Sequence, residues 1–301
     1  MNSPVISVLM PVYNGAAYLA ESIDSILAQT FADFEFIIVN DGSTDRSQKI
    51  LRDYEKRDRR IKVISRPNTG IVGALNDGVA VCKAALIARM DADDVALPER
   101  LATQLTYLNA NPDSVCVGSR VIGIDPCGCE LFRSEHKLSH EQIDEELLNG
   151  VGWAIVHPAA MMRRAAIEKI GGYRKQFQWV EDLDLFLRLA EHGRLANLDQ
   201  MLLKYRQHTE SVNRTRSAQQ AELADQCVRD AYRRRGQAPP AGWQFVPKPK
   251  PPKDVQLHTW AWRAMKSGNV PAARRHAVAL WKTAPLSFAS WKTLLCAMRG
   301  Y

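Results

Sequence analysis

Three aspartates follow the apolar run 84–88 and lie within four residues of one another: Asp91, Asp93 and Asp94. In an extended segment the side chains of residues i and i+2 point to the same side, so Asp91 and Asp93 are expected to converge. Carboxylates this close repel each other unless a positive charge lies between them. A divalent cation, Mg²⁺ or Mn²⁺, is commonly held by one or two carboxylates together with substrate phosphates. The alternative is a solvated acidic turn that caps the following helix.

The elements that would position these aspartates can be predicted from the hydrophobic pattern. Four short apolar runs indicate buried strands: 5–10, 34–39, 61–64 and 85–90. Helices are predicted at about 16–29, 46–57 and 71–81, and a further helix begins at Pro98. Strands and helices that alternate over short loops predict an α/β fold with parallel strands and right-handed crossovers.

In parallel sheets of this kind, ligands bind at the carboxyl ends of the strands. Three polar loops follow predicted strands, at residues 11–15, 40–45 and 91–94. We therefore predict that the three loops face one crevice. Within the first loop, Asn14 is expected to cap the helix that follows.

The second half of the chain loses the regular alternation. Residues 114–119 predict a strand, 120–135 a strand–turn–strand excursion, and 140–149 and 180–192 helices. Extended segments are expected at 156–162 and at 195–206, the latter with a turn near Asp199. Beyond residue 211 the sequence predicts a charged helix at 217–235, a proline-rich linker at 237–253, and basic helices at 258–299 split near Gly268 and Pro285.

The chain of 301 residues is 46% hydrophobic, which is enough for one large domain with an appendage. We divide it into a main domain of residues 1–215, with halves 1–115 and 116–215, and a basic helical C-terminal extension of residues 216–301. The formal net charge of +7 is compatible with nucleic acid, an anionic membrane surface or phosphorylated substrates. Because no nucleic-acid-binding motif is recognisable, a nucleic-acid partner is not expected.

Targeting signals and cysteine usage indicate a cytoplasmic protein. No signal peptide is recognisable, and no apolar run reaches the roughly 20 residues of a membrane span. The six cysteines are therefore expected to be reduced thiols, with Cys127 and Cys129 in a turn between two strands.

The C-terminal extension contains five of the seven tryptophans: Trp243, Trp260, Trp262, Trp281 and Trp291. Basic helices with tryptophans can lie on an anionic membrane surface, so peripheral membrane contact is one hypothesis. Packing of these tryptophans against the main domain is the favoured alternative.

Five motifs occur in the order and at the intervals of a known enzyme family: Pro11-Val-Tyr-Asn14, Val39-Asn-Asp-Gly-Ser-Thr-Asp45, Asn68-Thr-Gly70, Asp91-Ala-Asp-Asp94 and Glu181-Asp182. Over about residues 4–210 the chain resembles family 2 glycosyltransferases with the GT-A fold. The resemblance implies a mostly parallel central sheet flanked by helices, and it does not cover the C-terminal extension. It also implies a nucleotide-diphosphate sugar donor, expected to be a UDP-sugar.

The resemblance assigns the donor contacts to the first three motifs. Asp41 matches an aspartate that accepts the N3–H of uracil, and Tyr13 matches a residue whose ring lies along the base. The alternatives are half-buried packing for Tyr13 and, for Asp41, capping of the helix after its loop. The other donor-binding positions are Pro11, Asn14, Asn68 and Gly70. Glycine at position 70 would permit close approach of the backbone to a ligand.

The resemblance assigns a metal ion to the aspartate cluster. Asp91 and Asp93 match the DxD pair, with Asp91 near the ribose and the metal and Asp93 as the direct metal ligand. Asp94 would support them or cap the next helix. The metal would act as a Lewis acid on the departing diphosphate.

The same resemblance implies a catalytic base at Asp182, or at Glu181, that removes a proton from the acceptor hydroxyl. A single displacement opposite the leaving diphosphate would invert the anomeric centre. The alternative for both carboxylates is favourable charge in the first turn of a helix, which is the favoured interpretation of Asp184.

Three further residues match family positions with less specificity. His157 would line the acceptor side, although a histidine after an apolar run is more often structural. Arg206 would pair with phosphate oxygens, and His208 would contact a phosphate or the metal. The alternative is that Arg206 and His208 are surface residues at the end of a strand.

The expected function is an inverting, metal-dependent transfer of a sugar to the hydroxyl of a glycan or lipid-linked acceptor. The setting implied is cell-surface polysaccharide or lipopolysaccharide synthesis, in the cytoplasm or at the cytoplasmic face of the inner membrane. One alternative is a nucleotidyltransferase, which is disfavoured because no GxxxxGK[ST] or GxGxxG loop is present. The other is a non-catalytic scaffold that binds sugar nucleotides, which Asp91, Asp93 and Asp182 argue against.

Overall fold

The computed structural model describes residues 3–208, 217–242 and 251–300. The chain forms two compact units. The first unit contains residues 1–121, 135–204 and 218–246, and the second contains residues 122–134, 205–217 and 247–301. The domain boundary near residue 215 stays a prediction. The helix that follows it, α8 (Ser217–Arg234), falls largely within the first unit.

The N-terminal part of the first unit alternates strands with helices, as the hydrophobic pattern predicted. The strands are β1 (Ile6–Val12), β2 (Phe34–Asp41), β3 (Ile61–Arg66) and β4 (Leu86–Arg89). The helices are α1 (Leu19–Leu27), α2 (Ser47–Arg57) and α3 (Ile71–Val81). The strands pair in the order β3-β2-β1-β4, and all three pairings are parallel. Their carboxyl ends therefore share one edge of the sheet.

The sheet continues with antiparallel pairings. The further elements are β5 (Val95–Ala96), α4 (Arg100–Ala110), β6 (Ser114–Ile124), β7 (Glu130–Arg133), α5 (His140–Leu148), β8 (Met161–Arg163), α6 (Arg164–Lys169), α7 (Glu181–Ala190) and β9 (Arg194–Arg206). Strand β8 pairs antiparallel with both β4 and β6, and β5 pairs antiparallel with β9. The result is a mixed α/β architecture, parallel through β3-β2-β1-β4 and antiparallel beyond, which fits the fold that the resemblance implies.

Two local predictions were wrong, and the short strand β5 was missed. Residues 156–162 are not extended throughout, because His157–Ala159 form a 3₁₀ turn, in which Pro158 suits the first positions. The turn expected near Asp199 is absent, and β9 continues through that residue, whose carboxylate pairs with Arg120 at 2.5 Å. Strand β5 was not predicted, since two residues carry no periodicity.

The core of the first unit lies where α3 and α7 pack with the strands, around Leu9, Ile37, Val39, Leu75 and Phe186. Helix α3 approaches the sheet closely at Gly78. A Cβ atom at that position would lie 2.1 Å from Cδ1 of Leu9, so a larger residue would push the helix off the sheet.

A buried polar network ties α4 to the end of β4. The guanidinium of Arg100, which has no exposed surface, donates to the carbonyl oxygen of Arg89 at 2.6 Å and to Oε1 of Gln104 at 3.1 Å. Gln104 in turn donates to the carbonyl oxygens of Ala159 and Val117. Burial lowers the pKa of Arg100 to about 9, although the charge of Asp94 opposes this shift. The network fixes the point at which the chain leaves β4.

The second unit contains the end of β6, strand β7 and three helices, α9 (Lys253–Lys266), α10 (Val270–Thr283) and α11 (Phe288–Arg299). The predicted breaks near Gly268 and Pro285 are confirmed. The helices pack through small residues: Ala261, Ala264, Ala272, Ala273, Ala277 and Ala297. Of the predicted linker, residues 243–250, with Trp243, lie outside the described residues. Within the described parts of the chain, every helix is too short or too polar to cross a bilayer.

Candidate active site

The aspartate cluster lies in a turn between β4 and β5. One carboxylate oxygen from each of Asp91, Asp93 and Asp94 lies within 4.8 Å of those of the other two. The predicted convergence of Asp91 and Asp93 is therefore confirmed. Its cause is a tight turn rather than strand alternation, and the turn also brings in Asp94, which is 1% exposed. Three carboxylate oxygens at this spacing are a donor set that suits Mg²⁺ or Mn²⁺.

Arg89, the last residue of β4, places a buried positive charge beside this cluster. Its Nη1 lies 2.5 Å from Oδ2 of Asp91, and its side chain is 4% exposed. Burial raises the pKa of Asp91, and repulsion by Asp93 adds to the shift, while the Arg89 guanidinium opposes it. For Arg89, burial acts to lower the pKa, but the Asp91 carboxylate outweighs burial and raises it. No motif in the sequence indicates this arginine.

The loops after β1 and β2 are joined by hydrogen bonds. Oδ1 of Asn14 accepts from the backbone N–H of Thr44 at 2.8 Å, and the N–H of Asn14 donates to Oγ of Ser43 at 3.0 Å. Asn14 has a φ of 52°. The prediction that it caps α1 was wrong, because that helix begins after Tyr18 and has no side-chain cap. A Cβ atom at Gly15 would lie 3.4 Å from Cβ of Ala92, in the aspartate turn. The three loops therefore adjoin one another, as the strand order predicted.

Asp41, at the end of β2, is tied to the loop before α3. Its carboxylate accepts from the backbone N–H groups of Thr69 at 3.1 Å and Gly70 at 2.9 Å, and it pairs with Arg66 at 3.3 Å. Asp41 was expected, as an alternative, to cap α2, the helix after its loop, and this is wrong. Asp45 instead accepts from the N–H of Ser47 at the start of α2. The Asp41 carboxylate, which is 5% exposed, shapes the loop that contains Asn68.

Two other predicted donor positions lie in the loops that follow β1 and β3. Tyr13 is 56% exposed, so part of its side chain faces solvent and part of it is packed. Gly70 has a φ of 91°, and a Cβ atom there would lie 2.6 Å from Nε2 of Gln178. Only glycine fits this backbone without strain.

Glu181 and Asp182 begin α7. Oε2 of Glu181 accepts from the backbone N–H of Trp179 at 2.8 Å, and Oδ1 of Asp182 accepts from the N–H of Leu183 at 2.8 Å. The Asp182 carboxylate lies beside Gly152, where a Cβ atom would be 3.8 Å from Oδ1.

Both carboxylates at the start of α7 are electrostatically perturbed. Burial, reinforced by repulsion from Asp182, raises the pKa of Glu181 to about 7. Burial also raises the pKa of Asp182, and the charge of Asp91 adds a smaller contribution in the same direction. Carboxylates with raised pKa values are suited to proton transfer near neutral pH.

Asp184 lies in the first turn of α7, as predicted, but it is buried and paired. The residue has no exposed surface, and its carboxylate pairs with Arg174 and, at 2.6 Å, with Arg188. Arg188 also donates to the carbonyl oxygens of Ile170 and Gly172, each at 2.8 Å. This buried cluster braces the segment that leads into Glu181 and Asp182.

His157 forms a buried pair with Tyr173. Nε2 of His157 lies 2.9 Å from the hydroxyl oxygen of Tyr173, and the imidazole meets Phe186 edge-on. Burial, assisted by the charge of Arg89, holds the pKa of His157 well below its usual value. A neutral, hydrogen-bonded histidine fits the structural alternative given above. Tyr173 follows Gly172 and has no motif around it, so the sequence gives no sign of this pair.

Arg206 and His208 belong to the second unit. Nη1 of Arg206 donates to the carbonyl oxygens of Asp125 at 3.3 Å and Pro126 at 3.2 Å, and the residue is 3% exposed, so it is not a surface residue. The carbonyl oxygen of His208 accepts from Nε2 of Gln256 at 3.4 Å. Their predicted phosphate and metal contacts stay predictions.

Comparison with known proteins identifies relatives of the chain. The family model described as "Glycosyl transferase family 2" matches residues 7–171. The chain is 33% identical over 240 residues to an uncharacterized glycosyltransferase of Haemophilus influenzae, covering 76% of this chain and 73% of the relative. It is 37% identical over 235 residues to the O-antigen biosynthesis glycosyltransferase WbnJ of Escherichia coli, covering 77% of this chain and 90% of the relative.

Two solved structures share the fold. One is Staphylococcus aureus TarS 1–349 in complex with UDP-GlcNAc, with a TM-score of 0.61 and 17% identity, covering 98% of this chain and 89% of that chain. The other is the mannosyltransferase PcManGT of Pyrobaculum calidifontis in complex with GDP-Man and Mn²⁺, with a TM-score of 0.58 and 17% identity, covering 100% of this chain and 86% of that chain.

Proposed function

Because this chain belongs to glycosyl transferase family 2 and is a glycosyltransferase, we propose that it transfers one sugar, with inversion, from a nucleotide-diphosphate donor to an acceptor hydroxyl. A UDP-sugar is the donor that we propose. The observation that carries the proposal is the convergence of Asp91, Asp93 and Asp94 within 4.8 Å at the edge of the sheet where ligands bind in such folds.

Asp91 and Asp93 are the proposed metal ligands, and Asp94 supports the turn. The carbonyl oxygen of Asp94 accepts from Oγ of Ser22 at 2.6 Å, which fixes the turn against α1. When bound, a divalent cation would neutralise charge on the leaving diphosphate. The carboxylate donor set supports this proposal, as does the Mn²⁺ complex of the mannosyltransferase that shares the fold.

The donor would lie across the first two loops. The exposed ring of Tyr13 offers a surface on which a base can stack. A carboxylate has about four acceptor positions, and Asp41 uses three of them for Thr69, Gly70 and Arg66, which leaves one for the imide N–H of uracil. Pro11, Asn14 and Asn68 complete the proposed donor contacts.

Asp182 is the proposed catalytic base, and Glu181 is the alternative. The base takes the proton of the acceptor hydroxyl while the hydroxyl oxygen forms a bond to the anomeric carbon. The bond from that carbon to the diphosphate oxygen breaks, and its electron pair leaves with the nucleotide diphosphate. The raised pKa of each carboxylate supports this role, because a carboxylate with a raised pKa is a stronger base than a solvated one.

The proposed acceptor is a glycan or a lipid-linked glycan, used in cell-surface polysaccharide or lipopolysaccharide synthesis on the cytoplasmic side of the membrane. The support is the 37% identity to WbnJ, which is named for O-antigen biosynthesis. Phe177 and Tyr173 are buried beside α7, so acceptor specificity would depend on the less buried residues of the segment 149–153 near Asp182.

The test is nucleotide release from UDP-, GDP- and dTDP-sugars, with and without Mn²⁺, by wild type, Asp93→Asn and the control Asp53→Asn. Asp53 is exposed on α2, so its replacement makes the same change in charge away from the cluster. We expect Mn²⁺-dependent release of one nucleotide by wild type and the control, and none by Asp93→Asn. Equal release by all three proteins would show that Asp93 is not a metal ligand. Sugar-nucleotide binding without turnover on any acceptor would instead favour a scaffold.

A further inference from the structure

Helix α11 and the turn before it carry an exposed apolar surface, which we call the apolar stripe: Leu286, Phe288, Trp291, Leu295 and Met298. Leu286 is 99% exposed and Phe288 is 83% exposed, while Trp291, Leu295 and Met298 are 47%, 55% and 55% exposed. The four helical residues are spaced at i, i+3, i+7 and i+10, which places them on one face of the helix. Contiguous exposed apolar surface of this kind marks an interaction site.

The opposite face of α11 accounts for the stability of the helix. Ser290, Thr293 and Ala297 are buried, and Oγ1 of Thr293 lies 2.9 Å from Nδ1 of His258 on α9. Ala297 belongs to the cluster of small residues that joins the three helices. Phe288 and Leu295 lie outside this cluster, so replacing them would leave the packed face intact, whereas Trp291 also contacts Trp281 of α10, with ring centroids 5.7 Å apart.

The segment 255–301, which includes the apolar stripe, carries charge of one sign. Residues 255–301 contain no aspartate or glutamate and seven basic residues: Arg263, Lys266, Arg274, Arg275, Lys282, Lys292 and Arg299. All seven are exposed. Since the whole chain has 40 basic and 33 acidic residues, the rest of it is balanced, and this segment carries the entire formal net charge of +7.

A groove of about 510 Å³ adjoins the apolar stripe between α10 and α11. Its lining combines cationic and apolar side chains: Arg274, Arg275, Val278, Ala279, Lys282 and Met298. Arg275 pairs with Asp125 at 2.5 Å, so the groove's remaining cationic side chains are Arg274 and Lys282. Met298 also belongs to the apolar stripe, so the groove and the stripe form one continuous surface. Arg274 is held in place by donation to the carbonyl oxygens of Ala297 at 3.2 Å and Met298 at 2.9 Å.

We propose that the apolar stripe and its cationic border are a docking surface for an anionic lipid bilayer, with α11 lying in the plane of the interface. Apolar side chains at the level of the acyl boundary, flanked by lysine and arginine near the headgroups, bind anionic membranes. The groove would take a headgroup phosphate. A second copy of this chain is a poorer occupant, because it would bring two segments of charge +7 together.

The structure also indicates which tail tryptophans could contact a membrane. Trp260 is 2% exposed and packs with Leu131, Leu257 and Leu280 inside the second unit, so it is not available to a membrane. Trp291 lies on the apolar stripe, and its Nε1 donates to the carbonyl oxygen of Pro285 at 2.9 Å. Among the tail tryptophans that the structure describes, Trp291 is therefore the one that we expect to report insertion.

The test is sedimentation of the full chain with vesicles of phosphatidylcholine alone or mixed with phosphatidylglycerol. We expect binding to the mixed vesicles only. Phe288→Ser with Leu295→Ser should lower partitioning by about 100-fold, since each side chain loses apolar burial. Lys282→Glu with Lys292→Glu should lower it by about 25-fold or more, because each basic residue near an anionic surface contributes about fivefold. Lys49→Glu with Lys56→Glu, exposed on α2, makes the same change in net charge and should leave partitioning nearly unchanged.

Insertion can be measured separately with brominated phosphatidylcholine in the mixed vesicles. Tryptophan quenching should be present in wild type and largely lost in Trp291→Phe, which keeps an apolar ring and should still sediment. Equal binding to both vesicle types, or equal binding by the stripe variant and wild type, would overturn the proposal. A chain that is dimeric by light scattering, becomes monomeric in the stripe variant and ignores vesicles would instead assign the surface to a second copy. None of these measurements requires turnover, so their failure would not affect the proposed transferase activity.

Discussion

Arg89 and Asp91 form an ion pair at the point where β4 passes into the aspartate turn, with Nη1 and Oδ2 2.5 Å apart. The guanidinium is nearly buried, whereas the Asp91 carboxylate is 29% exposed. The charge of Arg89 also affects the pKa values of His157 and Asp182. One buried cation thus influences the proposed metal ligand, the proposed base and the histidine between β8 and α5.

Removing this cation should weaken metal binding, most strongly at low pH. Without the guanidinium, the pKa of Asp91 would rise further, and a proton would compete with the metal for the carboxylate. We expect Arg89→Met to lower Mn²⁺ affinity by about tenfold or more at pH 6, with a smaller loss at pH 8. Calorimetric titration at both pH values measures this, with Arg89→Lys as the charge-conserving control. A gain in affinity would show that Arg89 competes with the metal instead.

Mutation can show which of the two carboxylates at the start of α7 is the catalytic base. Asp182→Asn should reduce kcat by about 10²-fold to 10⁴-fold while the donor still binds, because proton removal contributes on that scale. Glu181→Gln should keep most of the activity if Asp182 is the base. Steady-state kinetics with donor binding measured in parallel decides between them, and the reverse pattern would transfer the role to Glu181.

The raised pKa of Glu181 also predicts how stability depends on pH. The folded pKa is about 7 and exceeds the ordinary value of 4.5, so the folded protein holds a proton that the unfolded chain releases between these pH values. This group therefore lowers the free energy of unfolding as pH rises from about 4.5 to 7. Glu181→Gln should stabilise the protein at pH 8 relative to wild type and have a smaller effect at pH 5. Urea denaturation at the two pH values provides the comparison, and an equal effect at both would contradict the shift.

Asp184 should be essential to stability rather than to catalysis. Its replacement by alanine would leave Arg188 buried without its carboxylate partner, which typically costs about 3–5 kcal/mol. Asp225→Ala, which removes an exposed pair with Arg229 on α8, should cost less than about 1 kcal/mol. Urea denaturation of both variants tests this, and similar losses would mean that the Asp184 cluster contributes no more than a surface pair.

Asp125 should stabilise the second unit, as Asp184 stabilises the first. Its carboxylate accepts from the backbone N–H groups of Cys127 and Cys129 and pairs with Arg275 at 2.5 Å and His276 at 2.8 Å. Burial opposes ionisation, but these hydrogen bonds and the Arg275 charge outweigh it and hold the pKa of Asp125 below its usual value. Its contribution to stability is complete above about pH 4 and is lost as pH falls toward the folded pKa.

We therefore expect Asp125→Asn to lower the thermal midpoint at pH 7 and to differ less from wild type at the lowest pH at which both still fold. Glu130→Gln is the matched control, because its pair with Arg133 is exposed. A change in midpoint no larger than that of the control would contradict the assignment.

The sequence alone determined which strands and loops form the candidate site. Apolar runs of strand length alternate with amphipathic helices through residue 90, and this local pattern is enough to specify parallel strands whose polar loops adjoin. The types and spacing of Asp41, Asp91, Asp93 and Asp182 were sufficient to recognise the family. The reason is that residue types and their intervals are known without any structure.

Tertiary structure decided which charges are solvated and which are paired inside the protein. Asp184 and Asp182 have similar sequence surroundings, yet only Asp184 meets two arginines, because residues 170–174 fold back against α7. Arg89 gains its role from a turn that no periodicity predicts. The apolar stripe depends on which face of α11 meets α9 and α10, and a helix of mixed composition does not specify that choice locally. These relationships join residues far apart in the chain, and only the packed structure brings them together.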